Sequence, residues 1–169
     1  MMERIRRLLR HRWLDETDTR RAIPPAMVER LAQHVAESER QHTGEVRIYV
    51  EAGLPFSYLW RDAPPRERAI ALFGKLGVWD TEQNNGVLIY LLLAEHAIEV
   101  VADRGLSRHV GPQQWQEVVA HMRDAFRAGR YEQGLQQAID EVTALLVRHF
   151  PASASAPNPN ELPDHPVLG

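Results

Sequence analysis

The chain has 169 residues, of which 44% are hydrophobic and 25% charged, a composition typical of one soluble globular domain. A chain of this length buries roughly 70% of the surface that its unfolded form exposes, so it can fold without a disulfide or a structural metal. It contains no cysteine, which excludes disulfide scaffolds, zinc ribbons, iron–sulfur clusters and cysteine nucleophiles. Any functional site must therefore use oxygen or imidazole groups.

The net charge is -3, from 20 Lys+Arg against 23 Asp+Glu. Nucleic-acid binding needs a basic face that neutralises phosphates, so we predict no nucleic-acid partner. The longest apolar run, residues 87–94, is far shorter than the ~20 residues that span a bilayer, and the N-terminus lacks the apolar core of a secretory signal. We therefore expect a cytoplasmic protein without a transmembrane segment.

The first 14 residues carry five arginines and one acidic residue. Four apolar residues follow one another here at helical spacing: Ile5, Leu8, Leu9 and Trp13. The pattern predicts a short basic amphipathic helix over 4–14, within a separate N-terminal segment, residues 1–22. Two interpretations stay open. The helix attaches the protein to an anionic membrane surface on the cytoplasmic side, or it packs on the domain or remains mobile.

Between residues 23 and 150 the hydrophobic periodicity alternates between helix and strand. The predicted elements are a helix over 24–42, a strand over 45–51, an aromatic loop over 53–62, a helix over 64–76, strands over 86–93 and 97–102, and helices over 111–129 and 131–150. The 45–51 strand has one polar face and is expected near the sheet edge. The aromatic loop either covers the core or forms a binding lip. Residues 151–169 are rich in Pro, Ala, Ser and Asn and are predicted to form a disordered tail.

These elements predict an α/β fold, a three-layer α/β/α sandwich with a mixed sheet and helices on both faces. The 64–76 helix connects two parallel strands, and the short connection at 94–96 allows only an antiparallel β-hairpin. Because the 86–93 strand is apolar on both faces, it is expected in the centre of the sheet. If Leu93 pairs with Ala97, Asp103 lies opposite Val87.

This topology brings three loops together at one end of the sheet. They carry Glu45, the run 80–86 and the run 103–105. The second and third loops supply four residues with carboxylate or amide oxygens: Asp80, Glu82, Asn84 and Asp103. Hard divalent cations prefer such ligands, so the sequence predicts a metal site for Ca²⁺ or Mg²⁺. An EF-hand is excluded, because its mid-loop glycine and terminal glutamate are misplaced and a strand follows. The structural alternative is that these residues cap turns, since Asn84-Asn85-Gly86 is an ordinary turn signature.

Other chemistries find little support. The chain contains no Walker A loop, G-x-G-x-x-G fingerprint, G-x-S-x-G elbow or H-E-x-x-H helix, and its eight histidines are scattered. We therefore predict no organic cofactor and assign no catalytic residue.

Four segments carry a resemblance to a known family. They read TGEVRIYV at 43–50, NNGVLIYL at 84–91, IEVVADRGL at 98–106 and FRAGRYEQG at 126–134. In order and spacing they resemble the TPM domain family over about residues 25–150. The resemblance implies an α/β/α sandwich with a Rossmann-like mixed sheet. Some members are described as binding calcium or magnesium, and a plant thylakoid branch is described as an acid phosphatase.

The chain departs from the family pattern after the third strand. The usual Gly-x-Gly-Val/Leu-Glu is here Asp-Arg-Gly-Leu-Ser at residues 103–107, so the terminal acid is missing and the phosphatase inference is weakened. Residues 78–86 are similar to the short bacterial single-domain branch, for which no reaction is agreed.

Two functional hypotheses follow. The first, which the sequence favours, is a TPM-fold binding module, dependent on a divalent cation, that acts through contacts with a protein partner or a membrane surface. The alternative is a metal-dependent acid phosphatase, in which the ion polarises a phosphoryl oxygen and Asp80 or Asp103 acts as ligand, nucleophile or base. The nearby cationic groups for a phosphate are Arg104 and Arg108.

Overall fold

The computed structural model describes residues 2–155 and 158–169. In this part of the chain, the elements are α1 Met2–Arg12, α2 Glu16–Ala22, α3 Pro25–Glu39, β1 Val46–Glu51, α4 Phe56–Trp60, α5 Pro65–Lys75, β2 Val87–Leu92, β3 Ala97–Ala102, α6 Arg104–Ser107, α7 Pro112–Arg127, α8 Tyr131–His149 and β4 Val167–Leu168. A 3-10 turn, Leu93–Glu95, connects β2 to β3.

The four strands form one mixed sheet in the order β3-β2-β1-β4. β1 is parallel to β2 and to β4, whereas β2 and β3 form an antiparallel hairpin. All six residues of β2 are buried, as its apolar sequence on both faces predicts. β1 lies near the sheet edge, as expected, and the two-residue strand β4 pairs along its outer side at Tyr49 and Val50.

Helices cover both faces of the sheet and so confirm the predicted α/β/α sandwich. On one face, Val87, Ile89 and Leu91 of β2 pack into a core with apolar side chains of α3, α7 and α8. On the other face, Leu88 and Tyr90 pack with apolar side chains of α4 and α5. Burying one large apolar side chain contributes roughly 1.5–3 kcal/mol, so these two cores are the main source of stability.

The hairpin register differs by one residue from the predicted one. Leu92, and not Leu93, pairs with Ala97, because Leu93 begins the 3-10 turn and His96 takes a left-handed conformation (φ 48°). Asp103 is therefore the neighbour of Gly86, to whose carbonyl it donates its N–H at 2.9 Å.

The prediction of a disordered tail over 151–169 is also corrected. Residues 158–169 lie along the domain and end in β4. Arg47 donates to the carbonyls of Pro163 and His165, and the Glu45 carboxylate accepts the Leu162 N–H at 3.0 Å. Arg47 of β1 and Glu45, which directly precedes the strand, thus bind the backbone of this segment, an interaction that composition and hydrophobic periodicity do not reveal.

Three short helices were not predicted from the sequence: α2, α4 and α6. α2 begins with a capping box in which Asp15 accepts from the N–H of Thr17 and Asp18 accepts from the N–H of Asp15. α4 replaces part of the predicted aromatic loop, and its five residues are too few to produce a recognisable period. Leu59 of α4 is buried while Phe56 and Trp60 are exposed, so this segment both covers the core and presents aromatic surface.

Across the described ranges, 2–155 and 158–169, no helix has the length and apolarity needed to cross a bilayer.

Candidate functional site

The loops that precede β2 and follow β3 meet at one end of the sheet. Gly105 donates its N–H to the Asn84 carbonyl at 2.8 Å, and Asn84 takes a left-handed conformation (φ 52°). A Cβ at position 105 would lie 2.4 Å from the Asn84 oxygen and 2.6 Å from the Gln83 oxygen. The approach of the two loops therefore requires glycine at this position.

Of the four predicted metal ligands, Asp103 is the most buried. It is 6% exposed, and its Oδ1 accepts the Arg104 N–H at 2.6 Å, which caps α6. Its Oδ2 is buried and has no hydrogen-bond partner within the described residues. A buried polar atom without a partner is costly, so a ligand that paired with this oxygen would offset that cost.

Asn85 was not singled out as a ligand from the sequence, yet it is fully buried. Its Nδ2 donates to Thr43 Oγ1 at 3.2 Å, while its Oδ1 has no partner in the described part of the chain. The side chain points towards Thr43, which precedes β1, whereas Asp103 lies on the β3 side of β2. The Asn-Asn-Gly sequence at 84–86 indicates a turn, but it does not predict which of the two asparagines is buried.

Asp80 and Glu82 occupy a different environment, since both side chains are exposed. Asp80 donates its N–H to the Gly77 carbonyl at 2.9 Å, and Glu82 donates its N–H to the Glu161 carboxylate at 3.1 Å. Among residues 2–155 and 158–169, no group of three or more His, Asp or Glu side chains is arranged to hold a metal ion. The predicted cation site thus depends on Asp103 together with amide and backbone oxygens, and it stays a prediction.

A small pocket of about 230 Å³ lies beside these loops. It is lined by Gln83, Asn84, Arg104, Gly105 and Arg108. The two arginines named from the sequence as cationic candidates therefore border the same pocket as the Asn84–Gly105 contact.

The N-terminal helix α1 packs on the domain through one face. Arg7 contacts Asp62 Oδ1 at 2.6 Å and Glu95 Oε1 at 2.7 Å. His11 accepts the Leu54 N–H on Nδ1 at 2.9 Å and contacts Glu95 Oε1 through Nε2, also at 2.9 Å. Burial alone would raise the pKa of Glu95, but hydrogen bonds from His11 and Arg7 bring it below its usual value. The interpretation that α1 packs on the domain is therefore correct for this face.

The other face of α1 is exposed, and α4, which Arg4 connects to α1, also carries exposed apolar side chains. We define the outer apolar face as the exposed large hydrophobic side chains of α1, of Trp13 directly after it and of α4: Met2, Ile5, Leu9, Trp13, Phe56 and Trp60. The rings of Phe56 and Trp60 lie 5.8 Å apart, and Arg4 connects the two helices by donating to the Trp60 carbonyl at 2.8 Å. Arg6, Arg10 and Arg12 are also exposed on α1. Basic and apolar surface are thus combined at one place.

Comparisons with known proteins agree with this architecture. The BA42 protein of the psychrophilic bacterium Bizionia argentinensis is similar in fold, with a TM-score of 0.75 and 22% identity over 87% of this chain and 95% of that one. The N-terminal domain of a protein from P. gingivalis gives a TM-score of 0.61 and 20% identity over 76% and 81% of the two chains. No curated protein matches. The family model of the TPM domain matches residues 17–145, and the chain therefore belongs to the TPM domain family.

Proposed function

We propose that this protein is a binding module that attaches to an anionic membrane surface through α1 and α4. The observation that supports this function is the outer apolar face. Six of the nine exposed large hydrophobic side chains in the described residues belong to it. Clustered apolar surface marks an interaction site far better than scattered residues do.

The chemistry of this face fits a lipid headgroup region. Exposed Arg6, Arg10 and Arg12 adjoin the apolar side chains, and a basic residue near an anionic membrane contributes about 1 kcal/mol. Tryptophan is enriched at the membrane interface, and Trp13 and Trp60 supply it here. With 11 residues, α1 is too short to span a bilayer and would lie in the plane of the surface.

The packed face of α1 supports the same proposal. Arg7 and His11 hold the helix against the domain, so the outer apolar face is already ordered before it meets a membrane. A preorganised surface avoids part of the ordering cost of binding. Anionic lipids are concentrated in the cytoplasmic leaflet, which agrees with the cytoplasmic location expected from the sequence.

Sedimentation with vesicles tests the proposal. The full chain should bind phosphatidylcholine vesicles that contain phosphatidylglycerol and not pure phosphatidylcholine vesicles. Arg6→Glu with Arg10→Glu, and separately Phe56→Ala with Trp60→Ala, should each weaken binding by roughly tenfold or more, since about 1.4 kcal/mol corresponds to tenfold.

Matched controls come from surfaces elsewhere on the chain. Arg20→Glu with Arg21→Glu reverses two exposed arginines of α2, and Trp79→Ala removes an exposed tryptophan outside the outer apolar face. Both controls should bind as the wild type does. Absence of binding to anionic vesicles, or equal losses in variants and controls, contradicts the proposal.

We further propose, as a second candidate, that Asp103 contributes to a Ca²⁺ or Mg²⁺ site. Its buried Oδ2 without a partner favours this function, since these cations take carboxylate, amide and backbone oxygens together. Titration calorimetry of metal-stripped protein should show binding that Asp103→Asn abolishes. Asp80→Asn, at an exposed carboxylate, should have a smaller effect, and no heat at millimolar ion would contradict the site.

The phosphatase alternative depends on the same ion. Arg104 and Arg108 beside the Asn84–Gly105 contact would supply the cationic surroundings of a phosphate. Turnover of an aryl phosphate that is lost in Asp103→Asn and in Arg104→Ala with Arg108→Ala would support this reaction. A flat assay between about pH 5 and 8, where carboxylate and imidazole groups titrate, would contradict it.

A further inference from the structure

β3 is the outermost strand at its side of the sheet in the described part of the chain. Its backbone groups alternate in direction, as they do in any antiparallel pair. Asp103, which follows β3, directs its N–H at Gly86 beside β2. By alternation, Ile98, Val100 and Ala102 direct their N–H and C=O groups away from β2.

Two of the outward carbonyl groups already have side-chain partners. Arg66 of α5 donates to the Val100 carbonyl, and Ser107 Oγ donates to the Ala102 carbonyl at 3.0 Å. The outward N–H groups of Ile98, Val100 and Ala102 and the carbonyl of Ile98 remain directed at the space beside the strand. A row of such groups is a template for a further strand.

A groove of about 720 Å³ occupies that space. It follows β3 from Glu95 to Ser107 and is bounded by Arg66 on the α5 side and by α7 on the other. Its apolar lining includes Ile98 and Val100 of β3 and Trp115 and Val119 of α7. Six residues of extended strand span about 20 Å, so a segment as long as β3 fits alongside it.

The charges around the groove favour an acidic occupant. Its two glutamates have cationic partners, since Glu95 contacts Arg7 and His11 and Glu99 contacts Arg66 at 3.4 Å. Arg123 and Arg127, one helical turn apart on α7, line the groove and are exposed. The α7 side of the groove is therefore positive.

We propose that an extended segment of an acidic partner protein adds to β3 as a further strand of the sheet. Its backbone would pair with the outward N–H groups of Ile98, Val100 and Ala102 and with the Ile98 carbonyl. Acidic side chains at alternate positions would contact Arg123 and Arg127. Strand addition of this kind takes its affinity from main-chain hydrogen bonds and its specificity from alternate side chains.

A second copy of the chain is a poorer occupant. Pairing two β3 edges would bring the arginines around each groove towards those of the other copy, a like-charge arrangement that costs free energy. This proposal does not depend on membrane or metal binding.

A displayed library of random linear octapeptides, selected against the full chain, provides the probe. The enriched peptides are synthesised, labelled and titrated by fluorescence anisotropy. We expect acidic residues at alternate positions, and at least a tenfold loss of affinity in the Arg123→Glu, Arg127→Glu variant. Arg20→Glu with Arg21→Glu on α2 carries the same charge change at the other side of the sheet, next to β1 and β4, and should leave the affinity unchanged.

Amide hydrogen exchange then distinguishes strand addition from surface adsorption. On saturation with the peptide, amide hydrogen exchange at Ile98, Val100 and Ala102 should slow.

The proposal is overturned if no peptide is enriched, if the peptides bind the Arg123/Arg127 variant as well as the wild type, or if the amides of Ile98, Val100 and Ala102 are not protected. A concentration-dependent dimer that the same variant dissociates would identify a second copy as the occupant and would also overturn it. Because both arginines are exposed, circular dichroism and melting temperature should confirm that the variant folds.

Discussion

Arg68 of α5 and Glu51 of β1 form a two-pronged ion pair beneath the surface of the domain. Nη2 lies 2.6 Å from Oε1, and Nε lies 3.1 Å from Oε2. The side chains are only 14% and 8% exposed, and Tyr90 of β2 donates its hydroxyl to the same carboxylate at 2.8 Å. Burial, together with the negative charge of Glu51, raises the pKa of Tyr90. Glu51, on the polar face of β1, therefore does not face solvent but connects the sheet to α5.

Breaking this pair from one side should destabilise the protein strongly. Arg68→Met leaves the Glu51 carboxylate buried without its cation, and the free energy of unfolding should fall by about 3–5 kcal/mol. Urea unfolding followed by tryptophan fluorescence measures the loss. Arg20→Met removes one partner of the exposed Arg20–Glu16 pair, in which the side chains are 73% and 75% exposed, and should change stability little. Equal effects of the two substitutions would contradict a structural role for the buried pair.

The sequence predicted the elements that carry long apolar patterns. β2 is apolar throughout, and α7 repeats Val118, Met122 and Phe126 at helical spacing, so type and position followed from periodicity alone. The hairpin register did not follow from periodicity, because Leu93 is apolar and buried, as are the strand residues before it. Only the conformation of the turn removes Leu93 from the strand.

For the candidate site, the sequence predicted which loops meet but not which of their side chains are buried. Strand directions sufficed to bring the loop of Asn84 next to that of Asp103, and the Gly105–Asn84 hydrogen bond shows that contact. The exposure of Asp80 and the burial of Asn85 depend on the three-dimensional path of the 80–86 turn. Residue spacing does not encode that path, so it gave no means of ranking the oxygen ligands.

The contact between these two loops should be sensitive to a single methyl group. In Gly105→Ala the new Cβ would meet the backbone oxygens of Gln83 and Asn84 at 2.6 and 2.4 Å, and backbone cannot yield as a flexible side chain does. We expect a loss of about 1–3 kcal/mol in the free energy of unfolding, the usual cost of overpacking.

Gly74→Ala is the matched control for that substitution. Position 74 lies within α5 and has no atom within 4 Å of a new Cβ. Replacing a helical glycine by alanine should stabilise the protein by roughly 0.5–1 kcal/mol. Thermal unfolding of the two variants should therefore shift in opposite directions, and a shift in the same direction would contradict the close approach of the loops.

The C-terminal segment should contribute to stability although its composition indicates disorder. Deleting residues 158–169 removes the Leu162 N–H from Glu45 and two carbonyl acceptors from Arg47. Hydrogen bonds to charged groups contribute about 1.5–3 kcal/mol, so chemical denaturation should show a loss of roughly 2 kcal/mol or more. Asn160→Ala, which removes an exposed hydrogen bond to Asp164 inside the segment, should have little effect. An unchanged denaturation midpoint after the deletion would mean that the segment does not hold β1.

A buried carboxyl group, that of Glu39, should make stability depend on pH. Burial raises the pKa of Glu39 to about 8, with further increases from Glu45 and Asp164 that the hydrogen bond from the Val46 N–H opposes. The folded protein therefore keeps a proton that the unfolded chain, with a carboxyl pKa of about 4.3, has already released. The contribution of Glu39 to stability should be fully present below the unfolded pKa and should be lost as the pH rises towards 8.

His42 has the opposite effect, but over a lower pH range. Burial lowers its pKa to about 4, so its contribution is lost as the pH falls below the unfolded value of about 6.5. Between about pH 6.5 and 8, Glu39 should dominate, with a decline of at most about 1.4 kcal/mol per pH unit. Urea unfolding at several pH values should show this decline in the wild type and in Glu37→Gln, an exposed carboxyl of the same helix. In Glu39→Gln it should disappear, because the amide has no proton to lose, and a wild-type stability that is constant or rises across this interval would show that Glu39 is ionised in the folded protein.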